Sequence, residues 1–140
     1  MRIPMALIAD EANLSQDGKL NVLGAFDRIV TAQFPTVHPK MVFVFRIEAG
    51  FSDSLRKVPV RVRLMDEDGS VLFEAGGEIG APEVRPGDLA TAYQLFGLAG
   101  IRFPTPGQYK FVVNLGELPP HETPLVVARS SWGADGAQGN

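Results

Sequence analysis

The stretch Ala6–Ile29, A-L-I-A-D-E-A-N-L-S-Q-D-G-K-L-N-V-L-G-A-F-D-R-I, decides the fold. It reads as two β-strands folded back on each other around Gln16-Asp17-Gly18. A three-residue hairpin loop commonly ends in a residue with left-handed backbone, and Gly18 suits that slot because it lacks a Cβ. This loop sets Ser15 against Lys19. Upstream, Leu14 then meets Leu20, Ala12 meets Val22 and Ile8 meets Phe26, so apolar faces apolar at each rung. A two-residue Asp17-Gly18 turn would set Ser15 against Leu20 and Asn13 against Val22. Such a slip sends a whole apolar set to the wrong face, so the longer loop is expected.

The same register puts Asp10 on the apolar face, opposite Gly24. A carboxylate buried there needs hydrogen bonds or a cation, or it neutralises. Two readings follow. Asp10 belongs to a ligand or metal site that Gly24 leaves open, with Arg28 close by. Alternatively it bonds local backbone N–H groups or Arg28 and is structural, since ion pairs of the scaffold perturb carboxylates as active sites do.

Downstream, Gln33–Pro39 holds two prolines and is expected to be a loop, because prolines are excluded from central strands. Met41–Ala49 alternates strictly, with Met41, Phe43, Phe45 and Ile47 on one face and Val42, Val44, Arg46 and Glu48 on the other. Gly50–Ser54 turns the chain. Leu55–Met65 alternates again, with Val58, Val60, Val62 and Leu64 inward. If Asp66-Glu67-Asp68-Gly69 is the hairpin loop, Leu64 faces Val71, Val62 faces Phe73 and Arg61 faces Glu74. Gly76-Gly77 and Gly80–Gly87 break the pattern where the chain crosses from one edge to another. Leu89–Phe103 is a long apolar strand with a bulge expected at Ala99-Gly100. Pro104–Gly107 is a corner, Gln108–Leu115 the next strand, Gly116–Thr123 a proline-rich connection and Pro124–Arg129 a last short strand. Residues 130–140 are small, polar and glycine-rich, so a flexible tail is expected, with Trp132 as its one possible anchor.

No segment supports an α-helix. About eight strands with regular turn signals predict an antiparallel, Greek-key β-sandwich, residues 1–129 forming one domain. A chain of 140 residues buries roughly two thirds of its unfolded surface, enough for a core without staples. With no cysteine, disulfides and thiolate metal sites are excluded. The net charge of −3 with interspersed signs argues against a nucleic-acid surface and gives no polybasic membrane anchor. Ile3–Ala9 is too short for a signal-peptide core, and no run approaches a membrane span, so a cytoplasmic location is expected.

Catalytic constellations are weak. His38 and His121 both lie beside prolines and lack zinc-site spacing, so two solvated loop histidines are expected. His121-Glu122 lacks the H-E-x-x-H pattern. An EF-hand placed on Gly69 would put Leu64 and Ala75 at its two essential carboxylate positions. A looser calcium site at that acidic tip is the remaining alternative. Ser15, Ser52, Ser54 and Ser70 fall in or beside turns, outside any nucleophile elbow, and no phosphate cradle is present. Asp10, Glu11 and Asp27 could supply paired carboxylates for glycoside hydrolysis only if they faced each other, and Asp10 and Glu11 alternate. No catalytic residue and no cofactor are expected.

Tyr109 sits in P-G-Q-Y-K-F, which resembles the corner-and-strand pattern of immunoglobulin-like sandwiches over Leu98–Val113. The resemblance implies a Tyr109 hydroxyl tying down the preceding corner. The opening hairpin, with F-P-x-x-H-P at Phe34–Pro39 and P-G-x-Y-x-F at Pro106–Phe111, resembles an uncharacterised family of small bacterial proteins. That resemblance implies a β-sandwich and no assigned activity. The expected function is therefore a non-catalytic interaction or assembly module. Its edge strands, or the loops Gln33–Pro39, Gly80–Gly87 and Leu118–Thr123, would meet a protein partner or a second copy. The alternative is a small-ligand or glycan binder with a site near Asp10, Gly24 and Arg28.

Overall fold

Aromatic and β-branched side chains at every second position fit a pleated, half-buried surface. Among the described residues the chain uses them in nine strands. The computed structural model describes residues 1–130. β1 (Arg2–Leu14), β2 (Leu20–Phe26), β4 (Thr36–Ala49) and β7 (Ala90–Phe103) form a four-stranded sheet in the order β2-β1-β4-β7. β3 (Arg28–Thr31), β5 (Lys57–Met65), β6 (Val71–Gly80), β8 (Gly107–Leu115) and β9 (His121–Arg129) form a five-stranded sheet in the order β3-β9-β8-β5-β6. The architecture is the expected all-β sandwich. Among the described residues the one helical segment is a 3-10 turn at Phe51–Asp53, and no helix is long and apolar enough to cross a membrane.

The opening hairpin has the expected register, with Ile8 opposite Phe26, Ala12 opposite Val22 and Leu14 opposite Leu20. Ser15 N–H donates to Lys19 O at 2.8 Å, and Gly18 takes φ +84°. The second strand, however, ends at Phe26. At Asp27 the chain leaves the first sheet, and Arg28–Thr31 pairs in parallel with β9. Among the described residues this crossing adds a ninth strand and the one parallel pairing.

The core lies between the sheets. Phe43 of β4 stacks on Phe111 of β8 with ring centroids 4.3 Å apart and planes 4° apart, and neither is exposed. Met41, Phe45 and Ile47 line the same face as Phe43. Val42 and Val44 on the opposite face are buried too, because Val44 sits between Leu7 and Leu95 on the neighbouring strands. The Tyr109 hydroxyl donates to Thr105 O at 2.6 Å, and its ring meets Phe103 edge-on at 4.9 Å. The corner expected from P-G-Q-Y-K-F is therefore present. Asp53, buried at one end, accepts from the Met1 amine at 2.9 Å and from Gly50 N–H at 3.0 Å. These bonds hold its carboxyl below the ordinary carboxylate value.

Several local expectations are corrected. In the second hairpin Leu64 faces Phe73 and Val62 faces Ala75, two residues away from the expected register. A shift of two keeps every side chain on its face, so alternation could not distinguish the registers. Arg61 and Glu74 still pair, but diagonally. No bulge interrupts β7, because Lys40–Ala99 and His38–Ile101 keep one register with β4. Instead Gly100 adopts φ +65°, which resets the pleat so that Leu98 and Phe103, five positions apart, both enter the core. Pro39 lies inside β4, against the expected loop, and Pro124 lies inside β9 rather than at its start, because that strand begins at His121. At each of them the strand is paired on one side. Pairing of β4 with β1 ends at Val42, and pairing of β9 with β3 starts at Val126. There a missing N–H breaks no second ladder. His38 and His121 accordingly sit in strands of different sheets rather than in loops. Trp132 and the expected tail beyond Ser130 lie outside the described residues.

Candidate functional site

The two changes of sheet leave one end of the sandwich open. The chain leaves the first sheet at Asp27, whose carbonyl accepts from Val126 N–H at 2.9 Å. It returns through residues 32–35, where Arg129 Nη1 donates to Ala32 O at 3.0 Å and its guanidinium lies over the Phe34 ring at 5.0 Å. Between these ties opens a cleft of about 460 Å³, lined by Asp10, Gly24, Phe26, Arg28, Thr36 and His38 among others. Three of those residues, Asp10, Gly24 and Arg28, are the ones the sequence singled out.

Gly24 takes φ +70° inside a strand. The Asp10 side chain lies across it: a Cβ at Gly24 would fall 3.0 Å from Asp10 Cγ, 3.2 Å from Asp10 Cβ and closer still to Oδ2. Asp10 is exposed rather than buried, which corrects the expectation from register. The reason is the length of the arm. Past Gly24 the hairpin extends beyond the core, leaving Leu14 45%, Val22 38% and Leu23 70% exposed. The structural alternative for Asp10 also lacks its expected bonds, since among the described residues Asp10 makes no ion pair with Arg28 and no hydrogen bond to backbone N–H.

His38 was expected to be a solvated loop residue. It instead projects into the cleft with its ring 5.7 Å from that of Phe26. Burial holds the imidazole below its ordinary value of 6.5, while the Asp10 carboxylate and a hydrogen bond with the Lys40 backbone pull it upward. The signal that could have placed it is the period of two: Thr36 and His38 share a face once the segment is read as strand, and both line the cleft. The cleft thus presents a carboxylate, a guanidinium, an imidazole and threonine hydroxyls beside an aromatic ring. That set can accept and donate hydrogen bonds to a polar ligand and cover an apolar edge.

Other candidates are already satisfied from within. Glu11 pairs with Lys40, so it does not join Asp10, and Asp27 lines a separate hollow with Thr123 and Pro124. In the acidic hairpin tip, Asp66 Oδ1 accepts from Asp68 N–H at 2.9 Å and Ser70 N–H at 2.8 Å, while Glu67 Oε1 accepts from Gln108 N–H at 2.9 Å. These carboxylates shape the turn. A hollow of about 440 Å³ over Gly76 is lined by Arg61 and Glu74, which pair with each other. Among the described residues no three His, Asp or Glu side chains converge as metal ligands.

Fold and cleft together define an all-β sandwich domain with an open polar cleft at a sheet-switching corner. The chain belongs to a family of unknown function, DUF6941, whose model matches residues 4–128. No curated protein matches the sequence. Among solved structures the chain is similar to a β-glucuronidase from glycoside hydrolase family 2, with 16% identity and a TM-score of 0.44, over 66% of this chain and 11% of that one.

Proposed function

We propose that this domain is a non-catalytic protein-interaction module that grips its partner at the Asp10–Arg28–His38 cleft. The observation that carries the reading is the pairing state of the cleft. Asp10 and Arg28 lie in one open depression, and among the described residues neither makes an ion pair. Charges left free beside an apolar surface are the usual rim and core of a docking site. The half-exposed Leu14 and Val22 supply that apolar surface next to the cleft. The cysteine-free composition supports a cytoplasmic setting, and the net charge of −3 supports a partner other than nucleic acid. The test places a photo-crosslinking residue at Leu14 and, as a control, at Arg61 on the far sheet. Adducts from Leu14 that disappear with Asp10→Asn, in a protein that stays folded, support the reading. Adducts from Arg61 alone count against it.

A second reading, a small-ligand or glycan binder, is favoured by Phe26 standing beside Asp10 and Arg28. An aromatic face with a carboxylate and a guanidinium suits a polyhydroxy ligand. A thermal-shift screen of sugars and metabolites tests it, and uniform absence of stabilisation removes it.

A further inference from the structure

The carboxylates of the opening hairpin differ in their partners. Glu11 pairs with Lys40, and Asp17 pairs with Lys19. Asp10, among the described residues, has no cation. Its place is nonetheless built. The carboxylate lies across Gly24, where a Cβ would collide with it. Ile8 stands two residues before Asp10 on β1, so its rung partner Phe26 shares the face on which Asp10 lies. His38 closes the other side, with its ring 5.7 Å from that of Phe26 and within the field of the Asp10 carboxylate. Burial holds that imidazole below its ordinary value of 6.5, so at neutral pH it is uncharged and supplies no counter-ion. Arg28 is the other charge of the cleft. Ile29 beside it on β3 packs against the core, so Arg28 projects to the opposite face and stands exposed at the rim.

We propose, on the basis of the docking reading above, that the partner segment entering the cleft presents a lysine or arginine side chain, whose cation sits on the Asp10 carboxylate between the Phe26 and His38 rings. A carboxylate attracts the cation directly, and the negative face of an aromatic ring attracts it again. A neutral imidazole adds a nitrogen lone pair for an N–H donor. A neutral segment would strip water from Asp10 and give nothing back. An anionic one would meet Asp10 inside the cleft and Arg28 only at its rim.

NMR of the full, isotope-labelled chain tests this, with Nα-acetyl-lysine methylamide added at constant ionic strength and the arginine, glutamate and norleucine compounds alongside. Saturable shifts at Asp10, Gly24, Phe26 and His38 are expected with lysine and arginine, in the millimolar range of a single side chain. Norleucine, which keeps the apolar stem without the charge, is expected to give none. Asp10→Asn, at an exposed position, weakens the lysine compound about fivefold or more. Arg28→Gln strengthens it about twofold, because a like charge is removed. Glutamate or norleucine binding as well as lysine overturns the proposal. So does lysine binding that Asp10→Asn leaves unchanged or Arg28→Gln abolishes, and so does saturation by none of the four. In any of those cases Leu14 adducts that depend on Asp10 keep the docking reading in place with the cation struck from it.

Discussion

Gly24→Ala gives a test of sign. In an ordinary strand this substitution stabilises by about 0.4–1 kcal/mol, because alanine has less unfolded-state freedom to lose. Here Gly24 has φ +70°, and an L-residue in that region costs about 1–2 kcal/mol. The new Cβ would also press on Asp10, 3.0 Å from Cγ and 3.2 Å from Cβ. The exposed carboxylate can swing aside, at a rotamer cost of about 0.5–1.5 kcal/mol. The balance is a destabilisation of about 1–2 kcal/mol, which moves the urea midpoint by about 0.5–1 M at unchanged slope. Asp10→Ala in the Gly24→Ala background recovers the carboxylate's part alone, because the Asp10 Cβ stays in place. Gly77→Ala in β6 is the control: it lies in open space with no positive φ, and is expected to be neutral or slightly stabilising. Equilibrium unfolding followed by circular dichroism reads all four proteins. A Gly24→Ala variant as stable as the parent, or more so, would refute both the left-handed rung and the Asp10 contact built on it.

Phe43→Ala removes one ring of the inter-sheet stack and should cost about 3–5 kcal/mol, a fall in melting temperature of about 10 °C or more. Leu14→Lys with Val22→Lys, by contrast, should change stability by no more than about 0.5 kcal/mol each, since both are exposed; a core-sized loss by calorimetry would mean the arm is packed. Tyr109→Phe loses the bond to Thr105 O and should cost about 1 kcal/mol in denaturant unfolding. His38, followed by NMR, should titrate below 6.5, and lower again in Asp10→Asn, which removes an upward pull. Because the folded value lies under the unfolded one, the unfolded chain takes the proton first. Stability is then intact above about pH 6.5 and declines as the pH falls below it, by an amount that His38→Gln should abolish. An unshifted titration in Asp10→Asn would separate the two groups.

Periodicity in the sequence reached the sandwich because each strand's face is a local property. Phe43 and Phe45 stand two apart on β4, as Tyr109 and Phe111 do on β8, and all four are buried. The opening hairpin was legible to the rung because Gln16-Asp17-Gly18 fixes its loop length. The Asp66–Gly69 hairpin was legible in kind and not in register, since shifting by two preserves every face. Sheet membership was the real gap. Nothing in F-D-R-I says that Asp27 turns the chain toward β9, because that is decided by non-local packing. The site followed the same division. Asp10, Gly24 and Arg28 belong to one hairpin and its continuation, and were found together. His38 and Thr36 enter from β4, behind two prolines that masked their strand.

Two glycines with left-handed backbone interrupt strands of the same sheet and have opposite outcomes. At Gly100 the reset pleat turns Phe103 inward, where it meets Tyr109 edge-on and closes the core beside the corner. At Gly24 the rungs that follow have no opposing strand, so Leu14 and Val22 stay in water and the cleft stays open. The difference lies in the other sheet. β8 reaches Gly107 and supplies Tyr109 under Phe103, whereas β3 has four residues and supplies nothing under Val22. A sandwich that needed only stability would shorten the hairpin to match β3. This chain instead keeps an apolar arm and places Asp10 and Arg28 at its base, the arrangement on which the proposed docking role rests.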